Sequence, residues 1–152
     1  MASAVLLLLV ADRLTKRAAV AYLAGREPFS VVGDILLFTY TENRGIAFGM
    51  FQGKASLFVV FAVIVALFCF ATYMSLPSGK RYLPLSLCLF GITAGALGNM
   101  ADRLLYGYVV DFIYFKPINF PVFNVADIYI TCSAFLLVFL LIFYYKDDEL
   151  KI

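Results

Sequence analysis

The chain has 152 residues, of which 64% are hydrophobic and only 14% charged, with a formal net charge of +2. A water-soluble domain is nearer half apolar and a quarter charged, so this chain has too little polar surface to face water all round and takes a bilayer as its solvent. The small net charge, without any basic run, gives no footing for nucleic acid, and the lack of His removes Ser-His and Cys-His nucleophile pairs and His-based zinc motifs.

A spanning helix needs about 20 largely apolar residues. Four segments meet that length: Ala2 to Leu23, Ala55 to Leu76, Tyr82 to Ala101 and Ala126 to Tyr145. The first opens like the apolar core of a signal peptide, but Asp12, Arg13, Lys16 and Arg17 follow without a small-x-small cleavage site, and the apolar pattern resumes at Ala18. It reads as a retained helix. Asp12 and Lys16 lie four apart, on one face, where they can pair. Between the first and second spans, Phe29 to Tyr40 is rich in Phe, Val, Ile and Leu around a Gly33-Asp34 turn signal, which predicts a short β-hairpin.

The second span carries no charge, and Pro77-Ser78-Gly79-Lys80-Arg81 turns the chain into the third. There Gly91, Gly95, Asn99 and Asp102 fall at steps of four, four and three on one face. Small residues admit a neighbouring helix closely, and Asn99 and Asp102 then present polar groups to it. Arg103 follows directly and is expected to neutralise Asp102 as a structural pair. Asp102 to Val125 is aromatic-rich and broken by Pro117 and Pro121, so it cannot be one helix. It is expected to be a partly amphipathic segment at the membrane surface. Asn124 is a good N-cap for the fourth span, with Asp127 at its third helical position, where a carboxylate complements the helix dipole. Lys146 to Ile152 is a short charged tail. Cys69, Cys88 and Cys132 sit in apolar runs without CxxC spacing and read as buried small hydrophobes. Four spans place both termini on one side, with Lys80, Arg81, Lys146 and Lys151, which the positive-inside rule reads as cytoplasmic; a plain count favours the reverse, because the other side carries Arg26, Arg44, Lys54, Arg103 and Lys116, but several of these fall in what look like functional motifs.

Charges at membrane depth cost about 2.5–3.5 kcal/mol each at mid-helix, so these carboxylates call for an explanation. Asp111, in Val109-Val110-Asp111-Phe112-Ile113, has apolar neighbours on both sides and no adjacent cation. A second carboxylate, Asp127, can meet it at the mouth of the bundle. Two carboxylates a few ångströms apart resist joint ionisation, so one serves as acid while the other, here Asp127 at the helix N-terminus, serves as base.

Five blocks now stand in order: Asp12-Arg13-Leu14-Thr15-Lys16; Asn43-Arg44-Gly45-Ile46-Ala47-Phe48-Gly49; Gly95-Ala96-Leu97-Gly98-Asn99-Met100-Ala101-Asp102-Arg103; Val109-Val110-Asp111-Phe112; and Phe123-Asn124-Val125-Ala126-Asp127. Together they resemble the conserved blocks of the lipoprotein signal peptidases, or signal peptidase II. Ala94 stands where that family often carries a further Gly, which keeps the position small.

The resemblance implies a single-domain, all-α membrane bundle of four transmembrane helices over residues 1–152, with a small extracytoplasmic β-cradle in the Phe29 to Tyr40 stretch and a short amphipathic periplasmic helix within Asp102 to Val125. It implies an aspartyl endopeptidase that removes the signal peptide of bacterial prolipoproteins just before a diacylglyceryl-modified cysteine. Asp111 and Asp127 match its catalytic pair. Asn43, Gly45, Asn99, Arg103, Asn124 and Ala126 match positions lining or bracing the site, with Asp102 in support, and Asp12 and Lys16 match a structural block. No metal or cofactor is implied. The expected partners are the lipidated substrate, membrane lipids and the inhibitory cyclic peptide globomycin. The expected setting is a monomer in the bacterial cytoplasmic membrane, with its site near the extracytoplasmic face. The competing reading is a small transporter or proton-conducting protein in which Asp12, Asp102, Asp111 and Asp127 form a relay.

Overall fold

The computed structural model describes residues 1–45, 55–146 and 149. It contains four long helices, α1 (Ala2–Leu23), α2 (Ala55–Ser75), α3 (Leu83–Tyr106) and α4 (Val125–Phe143), and three strands, β1 (Phe29–Val32), β2 (Leu36–Asn43) and β3 (Val109–Phe115). The spans Ser56–Ser75, Lys80–Tyr106 and Val125–Phe143 are long and apolar enough to cross a membrane. Helix α1 has a similar length, 22 residues, but carries Asp12, Arg13, Lys16 and Arg17 in its middle.

Helix α3 is the centre of the bundle, packing on α1, α2 and α4. Its glycines make this possible. A Cβ on Gly95 would lie 2.6 Å from Ile130 Cγ1 and would strike the Ala126 carbonyl; one on Gly91 would strike the Ser133 hydroxyl. Both glycines therefore let α4 lie flat on α3, as the small-residue face predicts. Helices α2 and α4 leave large apolar side chains such as Phe61, Phe68, Phe135 and Phe143 exposed. Hydrocarbon, not water, suits that surface. Helix α3 continues past Ala101 to Tyr106 and stops at Gly107, whose left-handed φ of 78° lets its N–H return to the Arg103 carbonyl.

The strands form one antiparallel sheet in the order β1-β2-β3. The hairpin turns at Gly33 and Asp34 as expected, but β2 runs on to Asn43 and pairs with a third strand that the sequence reading did not assign. Residues 102–125 hold no amphipathic helix: after Tyr106 the chain is β3, then a single 3-10 turn at Lys116–Ile118. The run Val109-Val110-Asp111-Phe112-Ile113-Tyr114-Phe115 is β-branched and aromatic, and its buried residues Val110, Phe112 and Ile113 pack with Ala19 of α1. Strand pairing plus that apolar contact outweighs any helical alternative.

Two registers place the site. Thr41 pairs with Asp111 and Asn43 with Val109 across β2 and β3. On the other edge of β3, Phe123 exchanges backbone hydrogen bonds with Ile113 at 2.8 and 3.0 Å. Phe123 thus lays the following residue, Asn124, beside β3 just as α4 begins. At the opposite end of the bundle, Arg81 holds Glu149 at 3.0 Å, and Tyr82 stacks on Tyr145. The rest of the tail beyond Lys146, and residues Ile46 to Gly49 of the second block, lie outside the described residues.

Candidate active site

Asn124 caps α4. Its side-chain oxygen accepts the Asp127 N–H at 3.0 Å, and the Asp127 carboxylate accepts the Asn124 backbone N–H at 3.1 Å. The sequence predicts the Asn124 cap and Asp127 at the third helical position; the structure adds the reciprocal bond of a capping box, which fixes Asp127 on the first turn. The Asn124 amide is then free to donate elsewhere, and it reaches Asp111 Oδ1 at 2.6 Å and Asn99 Oδ1 at 3.1 Å. Asn99 donates in turn to Asp127 Oδ1 at 2.8 Å. Asn43, at the end of β2, donates to Asp111 Oδ2 at 2.8 Å and accepts the Gly45 N–H at 3.0 Å.

Asp111 and Asp127 therefore come from a strand and a helix and meet through one asparagine. Both line a cavity of about 440 Å³, together with Asn43 and Arg103. Its remaining wall is Phe120 to Phe123 and the α4 face of Ile128, Thr131 and Cys132. Burial pushes the Asp111 carboxyl up to about 7, and the nearby Asp127 charge pushes the same way. The amides of Asn43 and Asn124 and the charge of Lys16 oppose that shift.

Beneath the cavity lies a second, fully engaged charge cluster. Lys16, 1% exposed, sets its ammonium 2.9 Å from Asp12, 3.1 Å from Asp102 and 2.8 Å from Asn99 Oδ1. Three donors meet three acceptors, so the ammonium is fully hydrogen-bonded. The two carboxylates reach further. Asp12 accepts the Ala126 N–H at 3.1 Å, and Asp102 accepts the Val110 N–H at 3.3 Å. Each of those amides belongs to the residue just before Asp127 or Asp111.

Asp12 and Lys16 pair as their spacing predicts. The expected pairing of Asp102 with Arg103 does not form. Successive helical residues point about 100° apart, and Asp102 turns to α1, where Arg13 lies 2.8 Å away. Arg103 turns to the cavity instead, donating to the carbonyls of Gly45 at 3.2 Å and Asn99 at 3.4 Å, with its guanidinium 4.9 Å over the Phe58 ring. Ala126 is fully buried, and its backbone does its work. Cys132, expected to be buried, is exposed, whereas Cys69 and Cys88 are buried.

The proton relay would need Asp12 and Asp102 to communicate with the cavity, but ion pairs and backbone amides occupy both carboxylates. Sequence reasoning overlooked Arg13 as the partner of Asp102 and the wall residues Thr131 and Phe120 to Phe123. Thr131 was findable, since it stands one turn beyond Asp127. The Phe120 to Phe123 wall had no local signal, because only the bridge to β3 places it.

Known proteins share both the sequence and the architecture. The family model for signal peptidase (SPase) II matches residues 4–143. A lipoprotein signal peptidase of Caldanaerobacter subterraneus subsp. tengcongensis is 43% identical over 133 residues, covering 87% of this chain and 88% of the relative. One of Clostridium tetani is 39% identical over 144 residues, covering 92% and 88%. A solved bacterial membrane enzyme superposes with a TM-score of 0.80 at 28% identity, covering 97% of this chain and 92% of its own. With a family match over nearly its whole length and an aspartate pair at one cavity, the chain belongs to the signal peptidase II family.

Proposed function

We propose that Asp111 and Asp127 are the catalytic pair with which this family member hydrolyses prolipoprotein signal peptides, just before the diacylglyceryl-modified cysteine. One observation carries the assignment: two aspartates from separate elements line the same cavity and share Asn124 as a hydrogen-bond partner. Such a pair divides its protons. Asp127, receiving the Asn99 amide and the Asn124 N–H, is the base that takes a proton from water as the water oxygen attacks the scissile carbonyl carbon. Asp111 holds a proton below about pH 7 and gives it to the carbonyl oxygen. Collapse of the tetrahedral intermediate breaks the C–N bond, the proton gained by Asp127 goes to the leaving amine, and one hydroxyl proton of the intermediate returns to Asp111, which restores the starting pair. One water is consumed, and a carboxyl and an amino terminus result.

Around the pair, Asn43, Asn99 and Asn124 hold the carboxylates, and Arg103 and Gly45 form a polar edge against which a peptide backbone can lie. The apolar wall of Phe120, Val122 and Ile128 suits a lipidated segment and a competing cyclic peptide such as globomycin. Helix α1 is the fourth span. The sheet and the site face the extracytoplasmic side of the cytoplasmic membrane, as the family resemblance implies, with Lys80, Arg81 and Lys146 at the other end. The protein acts as a monomer without metal or cofactor.

The test is cleavage of a diacylglyceryl prolipoprotein by purified wild type, Asp111→Asn and Asp127→Asn. Asn keeps the shape and removes proton transfer. Each variant is expected to lose at least about 10³-fold in rate while still binding globomycin. Substantial cleavage by either would remove that residue from the mechanism.

A further inference from the structure

A second cavity, of about 250 Å³, opens on the side of α1 and is lined by Arg13, Arg17, Tyr106 and Tyr108 among others. Its charge is unbalanced. Asp12 and Asp102 are taken by Lys16, Arg13 and backbone amides. Arg17 is exposed and makes no ion pair among the described residues. Three cations thus face two carboxylates that are already engaged, leaving one positive charge over. The guanidinium of Arg13 is partly exposed, bonded to Asp102 on one side and to the Tyr106 hydroxyl on the other, with its Cζ 5.1 Å from the centroid of the Tyr106 ring.

Arg17 and Arg13 continue at helical steps of four, three and four to Val10 and Leu6, so all four share one stripe of α1. Val10 and Leu6 are 48% and 61% exposed. A charged groove therefore runs directly into an apolar track.

We propose that this groove binds an anionic phospholipid, its phosphate between Arg13 and Arg17 beside the tyrosine hydroxyls, and one acyl chain along Val10 and Leu6. A planar guanidinium matches phosphate oxygens, and the apolar stripe favours a lipid over a free phosphate. The site is separate from the Asp111 cavity and stands on α1 lying against lipid, not on the hydrolytic assignment.

The experiment is native mass spectrometry of the whole protein released from micelles doped with phosphatidylglycerol or phosphatidylcholine, for wild type, Arg17→Gln and Arg17→Lys. Wild type should retain phosphatidylglycerol over phosphatidylcholine. Arg17→Gln should weaken retention of the anionic lipid about fivefold, the equivalent of roughly one surface cation, and Arg17→Lys should weaken it less. Cleavage in phosphatidylcholine micelles should be unchanged, which reports an intact fold. Equal retention of both lipids by wild type, or equal retention of phosphatidylglycerol by wild type and Arg17→Gln, would overturn the proposal. Displacement of the lipid by millimolar inorganic phosphate would also overturn it, by assigning the groove to a soluble anion.

Discussion

Asn124 places its side-chain amide 2.6 Å from Asp111 while its side-chain oxygen caps the N–H of Asp127 at 3.0 Å. One residue thus ends a loop, starts a helix and spans the aspartate pair. These duties separate by substitution. Serine keeps the N-cap but cannot reach Asp111 with an amide, whereas alanine loses both. Both variants lose the amide's bonds to Asp111 and Asn99, and Asn124→Ala should be the less stable of the two by the roughly 1 kcal/mol that a lost cap costs. Both should cut cleavage by about 10²-fold, since each removes one of the two amides that position Asp111. Thermal unfolding in micelles and steady-state rates read the two effects apart; a fully active Asn124→Ser would show that the amide bridge does not matter.

As the proposed acid, Asp111 should set the alkaline side of the pH profile. Its carboxyl is pushed up to about 7 by burial and the nearby Asp127 charge, so the acid form is lost as pH rises through about 7, and the rate should fall there. Asn43 donates to the ionised form, which holds the value down. Asn43→Ala should therefore move the falling limb to higher pH, even as it lowers the maximum rate. The stability sign follows from the same shift. The folded state keeps a proton that the unfolded chain releases between about pH 4 and 7, so this group's contribution to stability falls across that window as pH rises, by up to about 1.4 kcal/mol per unit. Asp111→Asn should flatten that slope. A falling limb unmoved in Asn43→Ala would mean that another group controls it.

Lys16 bridges two buried carboxylates at 2.9 and 3.1 Å. Lys16→Met leaves Asp12 without a cation, although Asp102 retains Arg13. Stranding a buried charge costs about 3–5 kcal/mol. Adding Asp12→Asn to Lys16→Met removes that charge and should recover part of the loss, so the two substitutions should be less than additive. Additive losses in Tm would argue that the pair is not coupled.

How much of this was legible in the sequence depends on whether the cause was local. The Asn124 cap with Asp127 on the first turn, the Asp12–Lys16 pair and the Gly91–Gly95 face each need only local helical geometry, and all three are present. Strand β3 had its β-branched and aromatic composition on view, but Pro117 and Pro121 drew attention to what the stretch could not be. The partner of Asp102 was misread because adjacency in sequence is not adjacency on a helix. Arg103 is next in the chain, yet Arg13, far away in sequence, lies 2.8 Å from Asp102. The cavity wall at Phe120 to Phe123 depends on a bridge to Ile113, and nothing in the segment itself announces that pairing.

Gly95 tests whether helix packing sets the position of Asp127. A Cβ there would lie 2.6 Å from Ile130 Cγ1 and would strike the carbonyl of Ala126, the residue before Asp127. The side chain of Ile130 can rotate away, but the backbone at Ala126 is held from the other side by Asp12 at 3.1 Å. Gly95→Ala must therefore either tilt the first turn of α4 away from α3 or break the Asp12 contact. Overpacking of this kind costs about 1–3 kcal/mol, and a displacement near 1 Å at a reacting group costs about 10²-fold in rate. The expected outcome is a variant that still folds but cleaves far more slowly, with the deficit in kcat more than in KM. Gly91→Ala, four residues earlier, meets the Ser133 hydroxyl and the Tyr129 carbonyl at 3.5 Å, farther from the aspartates. It should lose stability with a smaller loss of rate. Equal rate losses in the two variants would show that the α3–α4 contact acts through general stability and not through the placement of Asp127.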